Sequence, residues 1–112
     1  MAALKPKRGE VWWVCFDPSQ GTEVNKERPA IVLSNNISNQ HLDRCQVVPL
    51  TSSVERVYVS ECVVQVRGRV GKAMADQLRT VSIARFRSKL GRLSTPDLLK
   101  VESIVRLQLG LD

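Results

Sequence analysis

Residues 11–16 read Val-Trp-Trp-Val-Cys-Phe, an apolar run without a break. Successive side chains of a strand point to opposite faces. A strand with no polar face therefore needs cover on both sides, as in a barrel or in a sheet with another layer packed on it. Asp17, Pro18, Ser19, Gln20 and Gly21 follow at once and end the run with turn chemistry. Residues 30–34 form a second apolar strand, expected to begin at Pro29, because proline cannot donate to a ladder and belongs at a strand's first position or edge. The same proline biases Arg28 toward an extended backbone. Arg28 is thus expected to leave the loop as the chain enters the sheet.

Residues 35–44 are polar and suit a loop with a short helical turn, and residues 46–50 a third strand with Pro49 at an edge or bulge. Residues 58–66, rich in valine, suit a fourth strand; residues 67–71 are a turn, and residues 72–81 hold two short strands. From Arg85 to Leu90, period two puts Arg85, Arg87 and Lys89 on one face and Phe86 and Leu90 on the other. That cationic stripe suits an edge strand kept soluble by like charges as well as it suits a binding surface. The last element is a helix, with Ser94 and Asp97 in capping-box spacing, or Thr95 as cap before Pro96. Leu98, Val101, Ile104, Val105 and Leu109 recur at helical spacing, Glu102 and Arg106 are spaced to pair outside, and Gly110 is the stop. The expected fold is mainly β (α+β): a small SH3-like barrel with a C-terminal helix, one domain over residues 1–112 with a flexible start at residues 1–7.

No apolar run approaches the roughly 18 residues that span a bilayer, and the basic start has no apolar stretch behind it, so a cytoplasmic protein is expected. The net charge of +6 favours polyanionic partners. Cys15, Cys45 and Cys62 are odd in number and lack a C-x-x-C pair, which argues against disulfides or zinc and for small buried hydrophobes. His41 is the only histidine, so a two-histidine acid/base pair is impossible. The carboxylates show no metal-ligand spacing, and no phosphate-cradling or hydrolase motif is present; neither metal nor cofactor is expected. Arginine, hydroxyls and backbone amides remain, and those groups suit phosphate recognition. Arg28 and Thr51 stand at strand boundaries, although an arginine before proline is often structural and Thr51, Ser52 and Ser53 read equally as a turn.

Four segments settle on one resemblance: GEVWWVCFDP (residues 9–18), GTEVNKERPA (21–30), VPLTSS (48–53) and ADQLRT (75–80). In order and spacing they resemble the MazF/PemK family of toxin endoribonucleases from type II toxin–antitoxin systems, over nearly the whole chain from Lys7. The resemblance implies a CcdB/PemK-like barrel that forms a homodimer and cleaves single-stranded RNA at short sequences without a metal. It also implies a cognate antitoxin, and the positive charge predicts that this antitoxin carries an acidic, disordered tail. Arg28 and Thr51 take the family's catalytic positions. Trp13, Glu23, Asn25, Lys26, Ser52, Ser53 and Gln77 would line the RNA groove. Lys26, Lys72, Arg79 and the stripe at Arg85 would hold flanking phosphates. Val24 and Val59 depart from the family's common glutamine and proline. Two other functions suit the same barrel: a CcdB-like toxin that poisons DNA gyrase by protein contact, and a non-catalytic RNA- or DNA-binding barrel.

Overall fold

A computed structural model describes residues 4–111 of the chain. Seven antiparallel strands form a bent sheet closed by a C-terminal helix: β1 (Glu10–Cys15), β2 (Glu27–Val32), α1 (Asn36–His41), β3 (Arg44–Thr51), β4 (Glu61–Val66), β5 (Arg69–Met74), β6 (Arg79–Ser82), β7 (Phe86–Arg92) and α2 (Thr95–Leu109). Neighbours along the sheet run β4-β5-β3-β2-β1-β7, and β6 pairs with β3.

The unbroken apolar run has a direct structural cause. Alternation along β1 sends Val11 into one core and Trp12, Val14 and Phe16 into another. The first core joins Val11 to Ile31, Val48, Leu50, Val64 and Val66, and Val101 and Ile104 of α2 cover it. The second gathers Ala30, Val32, Cys45, Val47, Val81 and Phe86. Neighbouring residues of β2 and β3 divide between the two cores in the same way, so the central strands have no wet face. Phe16 is fully buried, a transfer worth about 1.5–3 kcal/mol.

Both prolines sit where a strand has a partner on one side only. β2 starts at Glu27 rather than at Pro29, so Arg28 lies inside a strand opposite Val14 and not at the loop's mouth. Pro29 pairs with Trp13, but the ladder to β3 begins only at Ala30, and the missing N–H costs nothing there. Pro49 pairs with Ala30 inside β3, at the point where the strand changes its other neighbour from β6, which ends at Val47, to β5, which begins at Leu50. That change of partner is the bend of the half-barrel.

Three boundaries differ from the sequence expectation. β4 begins at Glu61, not Tyr58: the Glu61 carboxylate accepts from the Tyr58 N–H at 2.9 Å and closes a turn that leaves Val59 outside. The turn before β5 shrinks to Arg67 and Gly68, both with positive φ (49° and 76°), the two-residue hairpin geometry that matches strand twist. At the start, residues 1–3 lie outside the described residues, but the rest of the segment expected to be flexible is tied down. The Lys5 ammonium donates to the Gln40 carbonyl at 2.7 Å, Pro6 is buried, and the Lys7 N–H donates to Glu10.

In α2, Ser94 is the cap, Pro96 sits in the first turn, and Gly110 closes the helix in the left-handed region. Val101 and Ile104 are buried, but Leu109 is 54% exposed because the last turn runs past the sheet. Glu102 pairs with Arg8, not with Arg106, which ties the helix to the chain's start. Cys45 is buried and Cys15 and Cys62 half-buried, all three as free thiols. Burial pushes the thiols of Cys45 and Cys62 upward, away from reactivity. Among the described residues no helix is long and apolar enough to cross a membrane.

Glu10 carries the clearest pH dependence. Burial alone would raise its carboxyl, but donors from Lys89 (2.8 Å), the Lys7 N–H (2.8 Å) and the Trp12 indole (3.0 Å) outweigh it and hold it below the ordinary value of 4.5. A carboxylate depressed in the folded state stabilises fully above its unfolded pKa and loses that stabilisation as pH falls through the folded one. Thermal melts from neutral pH downward should show wild type losing its lead over Glu10→Gln below about pH 4.5. Parallel curves would remove Glu10 from the acid response.

Candidate functional site

Arg28 and Thr51 belong to consecutive strands, β2 and β3, which pair in the sheet. Arg28 lies in β2 opposite Val14, and Thr51 closes β3 opposite Lys72. The Arg28 guanidinium bends back onto the loop before it, with Nε donating to the Asn25 carbonyl at 3.0 Å and Nη2 to Asn25 Oδ1 at 3.4 Å. Thr51 Oγ1 accepts from the Ser53 N–H at 3.3 Å, so the hydroxyl's own proton remains free to donate outward.

Two cavities flank this pair and share it. One, of about 210 Å³, is lined by Trp13, Glu27, Leu50, Ser52, Val66 and Arg69 besides Arg28 and Thr51. The other, of about 320 Å³, adds Glu23, Asn25, Met74 and Gln77 from the opposite side. Seven of the nine sequence candidates therefore converge. Lys26 and Ser53 do not line either cavity: Lys26 is held in a left-handed turn (φ 62°) with its N–H on Asp17 Oδ1 at 2.9 Å, and Ser53 spends its N–H on Thr51.

The loop that carries Glu23 and Asn25 is anchored, not free. Val24 is buried in the second core, and its N–H donates to Gln77 Oε1 at 3.1 Å. Gln77 Nε2 returns a bond to the Thr22 carbonyl at 3.3 Å. Thus Gln77 clamps the loop by its backbone, and the valine at position 24 supplies the apolar plug. The Glu23 carboxylate accepts from the Gln20 N–H at 2.8 Å.

The expected phosphate-holding cations divide. Lys72 is withdrawn: it is buried, ion-paired to Glu61 at 3.0 Å and bonded to the Arg56 carbonyl at 2.7 Å. The expected one-face stripe of Arg85, Arg87 and Lys89 does not form, because a bulge in β7 puts Lys89 on the side of Phe86 and sends Phe86 and Leu90 to different cores, and its cations are spent on neighbours as well. Arg85 donates to the carbonyls of Cys15 (3.2 Å) and Asp17, Arg87 to the Ala84 carbonyl (2.9 Å), and Lys89 pairs with Glu10. Arg79 lies over the Phe16 ring at 5.7 Å. Sequence reading missed Arg69, whose guanidinium carbon lies 5.5 Å from the Trp13 ring centre. The signal was present: Arg67 and Gly68 between valine-rich runs mark a two-residue hairpin, which puts position 69 on a strand. Among the described residues no group of three or more His, Cys, Asp or Glu side chains comes together to hold a metal.

Comparison with known proteins agrees with this architecture. Endoribonuclease MazF9 of Mycobacterium tuberculosis is 34% identical, covering 94% of this chain and 97% of the relative. The endoribonuclease toxin MazF of Escherichia coli is 33% identical, covering 94% and 95%. Crystalline MazF from Deinococcus radiodurans superposes with a TM-score of 0.87 at 28% identity, over 96% of this chain and 99% of that one. A MazE–MazF crystal structure from the same organism gives 0.79 at 25% identity, over 97% and 99%. Residues 7–109 match the family described as PemK-like, MazF-like toxins of type II toxin–antitoxin systems, and the chain belongs to that family.

Proposed function

We propose that this MazF-type toxin endoribonuclease cuts single-stranded RNA at the junction of its two cavities, with Arg28 and Thr51 as catalytic residues and no metal. The observation that carries the reading is the shared lining: the same arginine and the same threonine line both recesses. The ribose 2′-oxygen attacks the adjacent phosphorus and loses its proton, the bond from phosphorus to the 5′-oxygen breaks, and that oxygen takes up a proton. The products are a 2′,3′-cyclic phosphate and a 5′-hydroxyl. Guanidinium groups stay charged at neutral pH, so Arg28 stabilises the charge that grows on the phosphoryl oxygens, while Thr51 donates one further hydrogen bond. Trp13 and Ser52 line the recess on one side of the cut, and Glu23, Asn25 and Gln77 the other, with Lys26 and Ser53 at the margins. A single strand is required, because an A-form duplex fixes its backbone out of line and hides its base edges.

Relatives at 34% and 33% identity carry the name endoribonuclease, which favours cleavage over the gyrase-poisoning and non-catalytic readings. The MazE–MazF complex favours a cognate antitoxin as partner. The charge of +6 favours an acidic disordered tail on that antitoxin. A homodimer completes the reading. Purified protein incubated with a random-sequence RNA pool and excess EDTA should yield fragments ending in 2′,3′-cyclic phosphate, as read by mass spectrometry. Cleavage that stops in EDTA and returns with magnesium would refute the metal-free mechanism.

A further inference from the structure

We infer that Asn25 is a positioning residue for the cleavage reaction: it holds one edge of the Arg28 guanidinium so that the other edge faces the RNA phosphate. The inference rests on the ribonuclease reading above and adds to it the group that aims the arginine. A guanidinium offers five N–H donors in a planar fork. One edge of the fork carries Nε and Nη2, and the other carries Nη1 and the second N–H of Nη2. Asn25 takes the first edge with two acceptors of its own. Its backbone carbonyl meets Nε at 3.0 Å, and its side-chain Oδ1 meets Nη2 at 3.4 Å. Among the described residues Nη1 donates to nothing, and no ion pair engages the group. The edge left over is a parallel pair of charged donors, which matches two oxygens of one phosphate.

Asn25 is exposed, yet its backbone is fixed on both sides. Val24 before it is buried, and its N–H donates to Gln77 Oε1 at 3.1 Å. Lys26 after it sits at φ 62°, donates its N–H to Asp17 Oδ1 at 2.9 Å and accepts at its carbonyl from the Phe16 N–H at 2.8 Å. Phe16 is fully buried, so the fixation runs from the second core through Lys26 to Asn25 and on to the guanidinium. A free arginine samples many rotamers, and ordering it only during the reaction would raise the barrier. The same contact does little for the fold. Asn25 is exposed and Arg28 half-buried, so water would replace the bonds at small cost if they were lost.

The test is kcat and KM of Asn25→Ala on a cleaved single-stranded oligonucleotide, in the wild-type and the Arg28→Lys backgrounds. Asn25→Ala keeps the carbonyl but loses Oδ1. It should lower kcat on the order of 10-fold, the worth of one hydrogen bond to a charged group, with KM and melting temperature near wild type. Asn25→Asp, which keeps the acceptor, should recover most of kcat. An ammonium has no second edge to aim, so on Arg28→Lys the Asn25→Ala change should cost almost nothing further. Unchanged kcat in Asn25→Ala, beside lost cleavage in Arg28→Ala, would overturn the positioning role and spare the ribonuclease reading. An equal loss of kcat on both backgrounds would detach Asn25 from the arginine and overturn it too. Faster cleavage by Asn25→Ala would mean that the contact parks the arginine away from RNA, which is the opposite role. A raised KM with kcat unchanged on both backgrounds would make Asn25 a direct RNA contact and sink the inference. Full cleavage by Arg28→Ala would overturn the ribonuclease reading and the inference with it.

Discussion

Arg28→Ala should lower single-turnover RNA cleavage by roughly 10²–10³-fold, the usual cost of one donor aimed at a developing oxyanion. Its melting temperature should stay close to that of wild type. The two expectations separate because the guanidinium does little for the fold: its hydrogen bonds go to Asn25 alone among the described residues, and no ion pair holds it. The strand around it is fixed by Val14 on one side and by the ladder from Ala30 onward, none of which uses the side chain. Arg28→Lys should restore only part of the rate, since an ammonium offers a point charge where the phosphoryl group needs a planar fork. Thr51→Ala should cost a similar factor and Thr51→Ser little, because serine keeps the hydroxyl. The double alanine variant should be scarcely slower than the worse single one, as expected of residues that act as a unit. Wild-type turnover by both single alanine variants would end the assignment.

Strands and core were legible in this sequence wherever one rule sufficed. The unbroken run at residues 11–16 demanded cover on two faces, and the structure supplies two cores that meet across β1. The helix caps at Ser94 and Gly110 stand where residue chemistry puts them. What could not be read was partnership. Pro29 starts a strand by rule, but β2 extends two residues further back because its proline faces a neighbour on only one side. The alternation expected over residues 85–90 failed at a bulge: Lys89 pairs with Trp12 and Phe86 with Val14, which puts Lys89 on the side of Phe86 and sends Phe86 and Leu90 to different cores. Arg69 was lost because a basic residue near a glycine looks like turn decoration until pairing sets Val66 opposite it. For the site, the family resemblance supplied Arg28 and Thr51, and the pairing of β2 with β3 brings them into the lining of the same two cavities.

Lys72 shows most sharply how burial reverses a reading based on charge, and it yields the second large effect. Its ammonium lies in a pair with Glu61 at 3.0 Å, both side chains only 10% exposed, and donates to the Arg56 carbonyl at 2.7 Å under the Tyr58 ring. The lysine therefore stitches the segment between β3 and β4 onto β5, and that segment begins at Ser52 and Ser53. Removing one partner leaves the other charge buried without compensation, a loss of about 3–5 kcal/mol. Against a typical stability of about 5–15 kcal/mol, Lys72→Ala should bring a large fall in the urea midpoint. Replacing both members, Lys72→Met with Glu61→Leu, removes the uncompensated charge and should recover most of that loss. The salt dependence of RNA binding separates this account from a phosphate contact. Each phosphate-neutralising cation lost reduces the slope of log K against log salt by about 0.7 for a single strand, and the stable double variant should keep the wild-type slope. A double variant with full stability and a slope reduced by that amount would return Lys72 to the RNA.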